Sequence, residues 1–379
     1  MLSDDPLRAD LVAPGHPLLD ALITVTLDDF GSRLSSGTTF IDPTDEGDQP
    51  RVLISLEHSI TDGRVERGER KTVSRRFQFV EVREDGHVSD PGPEPYLNYE
   101  PLNDAQRGLI SQANTAWASS GIDDVARRWA IANLASPHFE AIRAIVQARI
   151  ARTRVAVETR LDREIRHWDQ QANDLKQKEL QGKQTRLASG QARQRADDLA
   201  ERKNRRLREL AMEEDLANQP PTVVAAALVI PQGLINRLTG NQSQVPNQDV
   251  IDETDRVAIA AVLEEERKLG RVPYEQAHNN PGFDILSEDP ATGTAYFIEV
   301  KGHRPDTDEI KVRAAQVRKA LMHPDKFRLA VVAVPNDPRN DSAVVSYHVQ
   351  PFADVKLHFA QTYVPLSVAA LREHAVKPQ

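Results

Sequence analysis

Gly282-Phe283-Asp284-Ile285-Leu286 and Ala295-Tyr296-Phe297-Ile298-Glu299-Val300-Lys301 decide the fold of the C-terminal third. Both stretches are short, β-branched and aromatic. Ser287 to Thr294, with Pro290 and Gly293, supplies turn signals between them, so the pair is expected to be a hairpin. Side chains alternate along a strand. Tyr296, Ile298 and Val300 therefore share one face, and Phe297, Glu299 and Lys301 share the other. Likewise, Phe283 and Ile285 leave Asp284 on the opposite side, where it converges with Glu299. Two carboxylates without a histidine or thiol neighbour suit a hard cation such as Mg²⁺, or Mn²⁺, and the chain has no cysteine at all. A lysine beside them can orient an attacking water and offset charge growing on a phosphate.

Upstream, Ile251–Leu269 reads as a helix with Ile259, Val262, Leu263 and Leu269 on its apolar stripe and Gly270 as a C-cap signal. Glu266 lies on that stripe. A carboxylate there must be paired, protonated or bound to a cation; a rim acid is the plainer alternative. Downstream, Thr307–Met322 is expected to be a helix. Arg328–Val334, nearly all apolar, is expected to be a strand buried on both faces. The core then runs helix, three-strand meander, helix, strand.

Outward from this domain, Thr239–Asp249 reads as a polar linker, preceded by a strand-like run at Val223–Ile230. From Asn103 to Asn218, Ala, Arg, Glu, Gln and Leu dominate, with no proline between Pro137 and Pro220, which predicts a long helical hairpin. Its second arm, Gln191–Glu214, holds seven basic and six acidic residues. It is read first as a solvated, salt-bridged helix and second as a nucleic-acid or partner surface. The first hundred residues read as a helix after Pro17 followed by strands at Thr38–Ile41, Arg51–His58 and Arg75–Arg83 in a small antiparallel sheet. The fold class is thus α+β and multi-domain: an N-terminal antiparallel α+β unit (1–100), a helical, coiled-coil-like arm (101–222), a strand and linker (223–250) and a C-terminal α/β domain (251–379).

The whole composition limits the function classes. A net charge of −9 over 379 residues argues against coating nucleic acid through bulk positive charge. There is no apolar run long enough to span a bilayer, and the start, Met1-Leu2-Ser3-Asp4-Asp5, is unlike a secretion signal, so a cytoplasmic protein without a membrane partner is expected. The 11 histidines form no H-x-x-x-H pair, and no G-x-S-x-G elbow or G-x-x-x-x-G-K-[ST] phosphate loop occurs.

Asn279-Asn280-Pro281-Gly282-Phe283-Asp284-Ile285, then Phe297-Ile298-Glu299-Val300-Lys301-Gly302, preceded by Glu266-Arg267-Lys268-Leu269-Gly270, resembles the NOV-type C-terminal domain (DUF3883), a branch of the PD-(D/E)xK nuclease-like superfamily. The resemblance implies a restriction-endonuclease-like fold with Asp284 and Glu299 as metal ligands, Lys301 as catalytic lysine and Glu266 as the helix acid. It also implies Gln316 as a substrate-contacting glutamine. Arg304, Lys311, Arg313 and Arg318, on or near the following helix, are expected phosphate contacts. More loosely, His16-Pro17-Leu18, Gly182-Lys183, Leu199-x-x-Arg202 and the passage from Pro220-Pro221 to Ile230-Pro231 resemble the region beside an SNF2-type helicase motor of bacterial anti-phage systems. That implies a motor in the same or another chain, and DNA as the nucleic acid. Against a nuclease stands a nuclease-fold domain without turnover that docks DNA or protein, and, more remotely, a structural protein built on the charged helices.

Overall fold

A computed structural model describes residues 17–34, 37–66, 68–110, 115–119, 121–240, 248–280, 282–338, 340–358 and 361–376. The acidic first residues, His16, Pro281 and positions 241–247 of the expected linker lie outside them. The chain divides into two compact units, neither contiguous: Met1–Ser55, Phe79–Asp123 and Val224–Gln379 in the first, Leu56–Gln78 and Asp124–Val223 in the second.

Before the hairpin come α1 (Pro17–Leu34), β1 (Thr38–Asp42), β2 (Arg51–Glu66), β3 (Glu69–Arg83), β4 (Val88–Ser89), β5 (Glu100–Pro101) and α2 (Asp104–Ile110). The strands enter a mixed sheet in the order β4-β3-β2-β7-β1-β5, where β7 is Thr222–Pro231, and the unit boundary falls within β2, β3 and β7. A purely antiparallel sheet was the expectation. Instead β7 runs parallel to β1, with Thr38 opposite Ala227 and Ile41 opposite Ile230, so the strand expected beside a linker is a member of the first sheet. Leu53, Phe79, Tyr99, Ala227 and Val229 form the apolar cluster on which these strands close.

The second unit resumes within α3 (Ile122–Ala130), which passes through one π-helical turn (Ile131–Ala135) into the 45-residue α4 (Ser136–Leu180). Gly182, in the left-handed region at φ 69°, turns the chain toward α5 (Ser189–Glu214). The hairpin is held by Val146, Ile150 and Leu210 and by cross-helix ion pairs such as Asp162–Lys203 at 2.6 Å. β6 (Ala217–Asn218) follows and pairs with β2.

The C-terminal part of the first unit, after α6 (Gln232–Leu238), positions the candidate site. Its elements are α7 (Gln248–Lys268), β8 (Val272–Glu275), β9 (Ile285–Asp289), β10 (Thr294–His303), β11 (Glu309–Arg313), α8 (Ala314–Met322), β12 (Phe327–Ala333), β13 (Val344–Val349), β14 (Tyr363–Ser367) and α9 (Val368–Glu373). Five strands lie in the order β13-β12-β10-β9-β8. β8, β9 and β10 form an antiparallel meander, and β12 lies parallel to β10. A parallel neighbour needs a crossover, here made by β11 and α8. The expected single helix from Thr307 to Met322 is therefore half strand: Ile310 and Val312 alternate inward on β11, which pairs with β14.

β12 is interior to the sheet, between β13 and β10, and buried on both sides, as its apolar run requires. Phe327, Leu329 and Val331 pack with Val317, Phe352 and Val364, whereas Ala330 and Val332 pack with Ala258 and Val262 of α7. Ile298 and Val300 of β10 also face α7. A Cβ on Gly302 would come within 2.9 Å of the Ala258 Cβ and 3.1 Å of the Thr254 carbonyl oxygen, so the glycine is what lets the helix cross the strand this closely.

Candidate active site

Strand alternation puts the acid and lysine pair together. β10 is a regular strand, so Glu299 and Lys301 emerge from the face opposite Ile298 and Val300. Lys301 Nζ lies 2.9 Å from Glu299 Oε1, with the glutamate side chain 1% exposed and the lysine side chain 24% exposed. Neither Glu299 oxygen accepts an aligned hydrogen bond. Burial and the nearby Asp284 push the Glu299 carboxyl up to about 8, against the pull of Lys301. Burial alone would lower Lys301, but Glu299 and Asp284 outweigh it and hold the ammonium above its ordinary value.

Asp284 arrives differently from the expected strand position. β9 begins just after it, at Ile285, three residues later than the expected start at Gly282, and runs on to Asp289, so the turn after it is shorter than the expected loop. The Asp284 N–H still donates to the Ile298 carbonyl at 2.9 Å. Its side chain then takes over the ladder: Asp284 Oδ2 accepts from the Val300 N–H at 2.8 Å. Where β9 parts from β10, a carboxylate thus fills the place of a backbone carbonyl, and this fork leads directly to Glu299 and Lys301. Sequence-predicted Asp284, Glu299 and Lys301 are thereby brought into one electrostatic group.

Glu266 is not part of it. Its side chain is fully buried near the end of α7, where Tyr347 Oη donates to Oε1 at 2.7 Å and Arg271 Nη1 lies 3.3 Å from both oxygens. Gly270, at φ 77°, makes this possible by closing the helix so that the Arg271 N–H bonds back to the Glu266 carbonyl at 3.0 Å. Of the alternatives for a stripe acid, pairing is the one realised.

The acid of α7 that does reach the group is Asp255. Its carboxyl is raised by the protein packed around it and by Asp284 and Asp252, opposed by Lys301 and His278, although the residue keeps open surface. The signal was present: Asp255 stands three residues before Ala258 and seven before Val262, on the same stripe as Glu266.

The expected phosphate contacts divide. Arg304 is committed to Thr254, Glu253 and the Pro335 carbonyl. Lys311 donates to the Pro43 carbonyl at 2.7 Å and lies over the Tyr363 ring. Arg313 reaches Asp42 at 3.5 Å while its field also touches Glu299 and Lys301. Burial acts to raise Asp42, but Arg51, Arg313 and two hydrogen bonds from Thr44 hold it below the ordinary carboxylate range. Gln316 caps α8 by accepting from the Arg313 N–H at 2.9 Å. Arg318 is exposed.

Among the described residues, no three His, Asp or Glu side chains are placed to hold a metal ion. What the group offers is fewer donors of the right kind: two Glu299 oxygens without an aligned donor and an Asp284 carboxylate beside them. Mg²⁺ commonly takes one or two carboxylates and keeps several waters. The donor set fits such an ion with water or phosphate completing its shell.

A family model described as "Protein NO VEIN, C-terminal" matches residues 254–345, about a quarter of the chain. That stretch runs from α7 into β13 and contains Asp255, Glu266, Asp284, Glu299 and Lys301. No curated protein matches the chain.

The raised Glu299 carboxyl has a measurable consequence. Its ordinary value is 4.5 and its folded value about 8, so the unfolded chain ionises first as pH rises. Stability contributed by the neutral carboxyl is complete below pH 4.5 and is lost as pH climbs toward 8. In a chelating buffer Glu299→Gln should match wild type in thermal unfolding near the lower pH. Near the upper it should exceed it by ~2–4 kcal/mol. Equal unfolding curves for the two proteins at both pH values would mean that folding leaves the Glu299 carboxyl at its ordinary value.

Proposed function

We propose that residues 251–379 form a PD-(D/E)xK-type, Mg²⁺- or Mn²⁺-dependent nuclease or nuclease-like DNA-processing module. It would work with an SNF2-type helicase motor, in the same or another chain, in cytoplasmic defence against foreign DNA. The observation that carries this reading is Glu299: a buried carboxyl with two unaligned oxygens, 2.9 Å from the Lys301 ammonium and placed where Asp284 interrupts the β9–β10 ladder. The cation, when bound through Asp284 and Glu299, would polarise a phosphodiester and lower the proton affinity of a water.

The residues of the chain would do the rest. Lys301 would leave Glu299 to orient water and to offset charge on the phosphate as the bond to the leaving oxygen breaks. Asp255, at the open edge of the group, would hold a proton from that water. Arg318 and the exposed part of Arg313 would meet flanking phosphates, with Gln316, Arg304 and Lys311 contributing only if they exchange their present partners for substrate. Glu266 supports this arrangement from a distance as a structural acid.

A second reading, a catalytically silent module that docks DNA or protein, is favoured by one observation: no three-residue metal cluster exists among the described residues. Cutting separates the two. The purified chain, with and without an SNF2-type partner, should cleave at least one of single-stranded, duplex or forked DNA in Mg²⁺ or Mn²⁺ and none in chelator. Failure on all of them in either metal would leave the docking module as the function.

A further inference from the structure

The second unit carries a charge pattern that the candidate nuclease site does not use. Ser136–Glu214 contains 18 Lys and Arg against 13 Asp and Glu, in a chain whose net charge is −9. The excess is not evenly spread. Val146, Ile150, Leu161 and Ala172 mark the buried side of α4. At about 100° per residue, Arg152, Arg163 and Arg166 fall within roughly 60° of one another on the opposite side, with Arg149 at its margin. All four are exposed.

Between Ile145 and Gln170 the acids of α4 are Glu158, Asp162, Glu164 and Asp169. None projects from that outward side. They sit on the flanks, where Asp162 pairs with Lys203 at 2.6 Å, Asp169 with Arg193 at 2.8 Å and Glu164 with Arg160 at 3.0 Å. Arg149 has Glu213 at 2.9 Å, while among the described residues Arg152 and Arg166 donate to carbonyls of their own helix, Ala148 and Asp162, and to no carboxylate.

The outward face of α5 is the internal comparison. There the acidic Asp198 and Glu201 are followed by the basic Arg205 and Arg208, so both signs share one face, as expected of a helix whose face meets only water. On α4 the sign is uniform over about 21 Å from Arg152 to Arg166. The residues between them are small or neutral: Val155, Ala156 and Thr159, all exposed. Nothing bulky or acidic would keep a polyanion from lying along the row.

We propose that this outward face of α4 is a contact surface for the phosphate backbone of duplex DNA. Arginine without a carboxylate partner suits phosphate, to which it donates in a fork. The uniform sign matches the uniform charge of the duplex. The proposal rests on the second unit alone and does not require the Asp284 group to turn over.

The test is fluorescence anisotropy of the full chain with a short labelled duplex of mixed sequence, in chelator, across a series of KCl concentrations. Combining Arg152→Gln, Arg163→Gln and Arg166→Gln should weaken binding at least tenfold at low salt and reduce the slope of log affinity on log salt by about 3. Arg205→Gln with Arg208→Gln should leave both unchanged. Far-ultraviolet circular dichroism checks that the exposed substitutions leave the hairpin helical. The proposal is overturned if the triple variant keeps the wild-type slope, if the α5 variant loses as much, or if the face binds only RNA or an acidic polypeptide.

Discussion

Lys301→Ala should lower the rate of metal-dependent DNA cutting by about a hundredfold or more while leaving duplex affinity in chelator unchanged. The lysine lies 2.9 Å from Glu299 Oε1 and stands closer to solvent than the glutamate, so it is the member of the pair placed to meet substrate. An ammonium that acts on charge developing in the transition state contributes little to ground-state binding, and its removal should appear in the chemical step. Removing it also strips Glu299 of its counter-charge. Lys301→Met, which loses the charge but keeps the apolar stem, separates the cost of lost packing from that of the lost ammonium: both variants should be equally slow. A Lys301→Met protein that cuts at the wild-type rate would show that the ammonium has no part in the reaction.

Glu266→Ala should instead destabilise the first unit, by about 3–5 kcal/mol in denaturant unfolding, with no specific effect on cutting by the protein that remains folded. The loss is large because Arg271 and Tyr347 would keep their buried places without the carboxylate that both now contact. Burial and the hydrogen bond to Glu266 already hold the Tyr347 hydroxyl well above its ordinary value, so the phenol has no inexpensive ionised alternative. Glu266→Gln preserves an acceptor for Tyr347 and should cost less than the alanine variant. A Glu266→Ala protein of wild-type stability and lost activity would return this acid to the reaction and contradict its structural assignment.

The contrast between Glu266 and Asp255 shows where sequence periodicity stops being informative. Both lie on the stripe that carries Ala258 and Val262, so a 3.6-residue period marks both as inward and cannot choose between them. The choice is made by depth along the helix. Gly302 of β10 presses on Thr254 and Ala258, which brings the N-terminal half of α7, and with it Asp255, to the end of the strand that bears Lys301. Glu266, about three turns further on, meets Arg271 and Tyr347 instead. Gly302 itself was legible, but the helix it touches was not.

Alternation along β10 was enough to place Glu299 and Lys301 on one face, because a two-residue period leaves no other choice within a regular strand. The same rule misplaced the start of β9. Asp284 sits one residue outside the ladder, and its side chain, not its backbone, bonds to Val300. Non-local pairing hid the remainder. Glu309–Arg313 is a strand because Tyr363–Ser367 lies beside it, and Thr222–Pro231 joins the first sheet because Thr38–Asp42 does. Neither partner is near in sequence, and short apolar segments do not announce which distant edge they will meet.

Everything proposed for the Asp284 group depends on a divalent ion being held there, and calorimetric titration of Mn²⁺ into chelator-treated protein addresses this most directly. One ion should bind per chain, and Asp284→Asn combined with Glu299→Gln should abolish that binding while the variant still unfolds cooperatively. Wild-type protein that takes up no ion, or a double variant that binds as wild type does, would contradict the account.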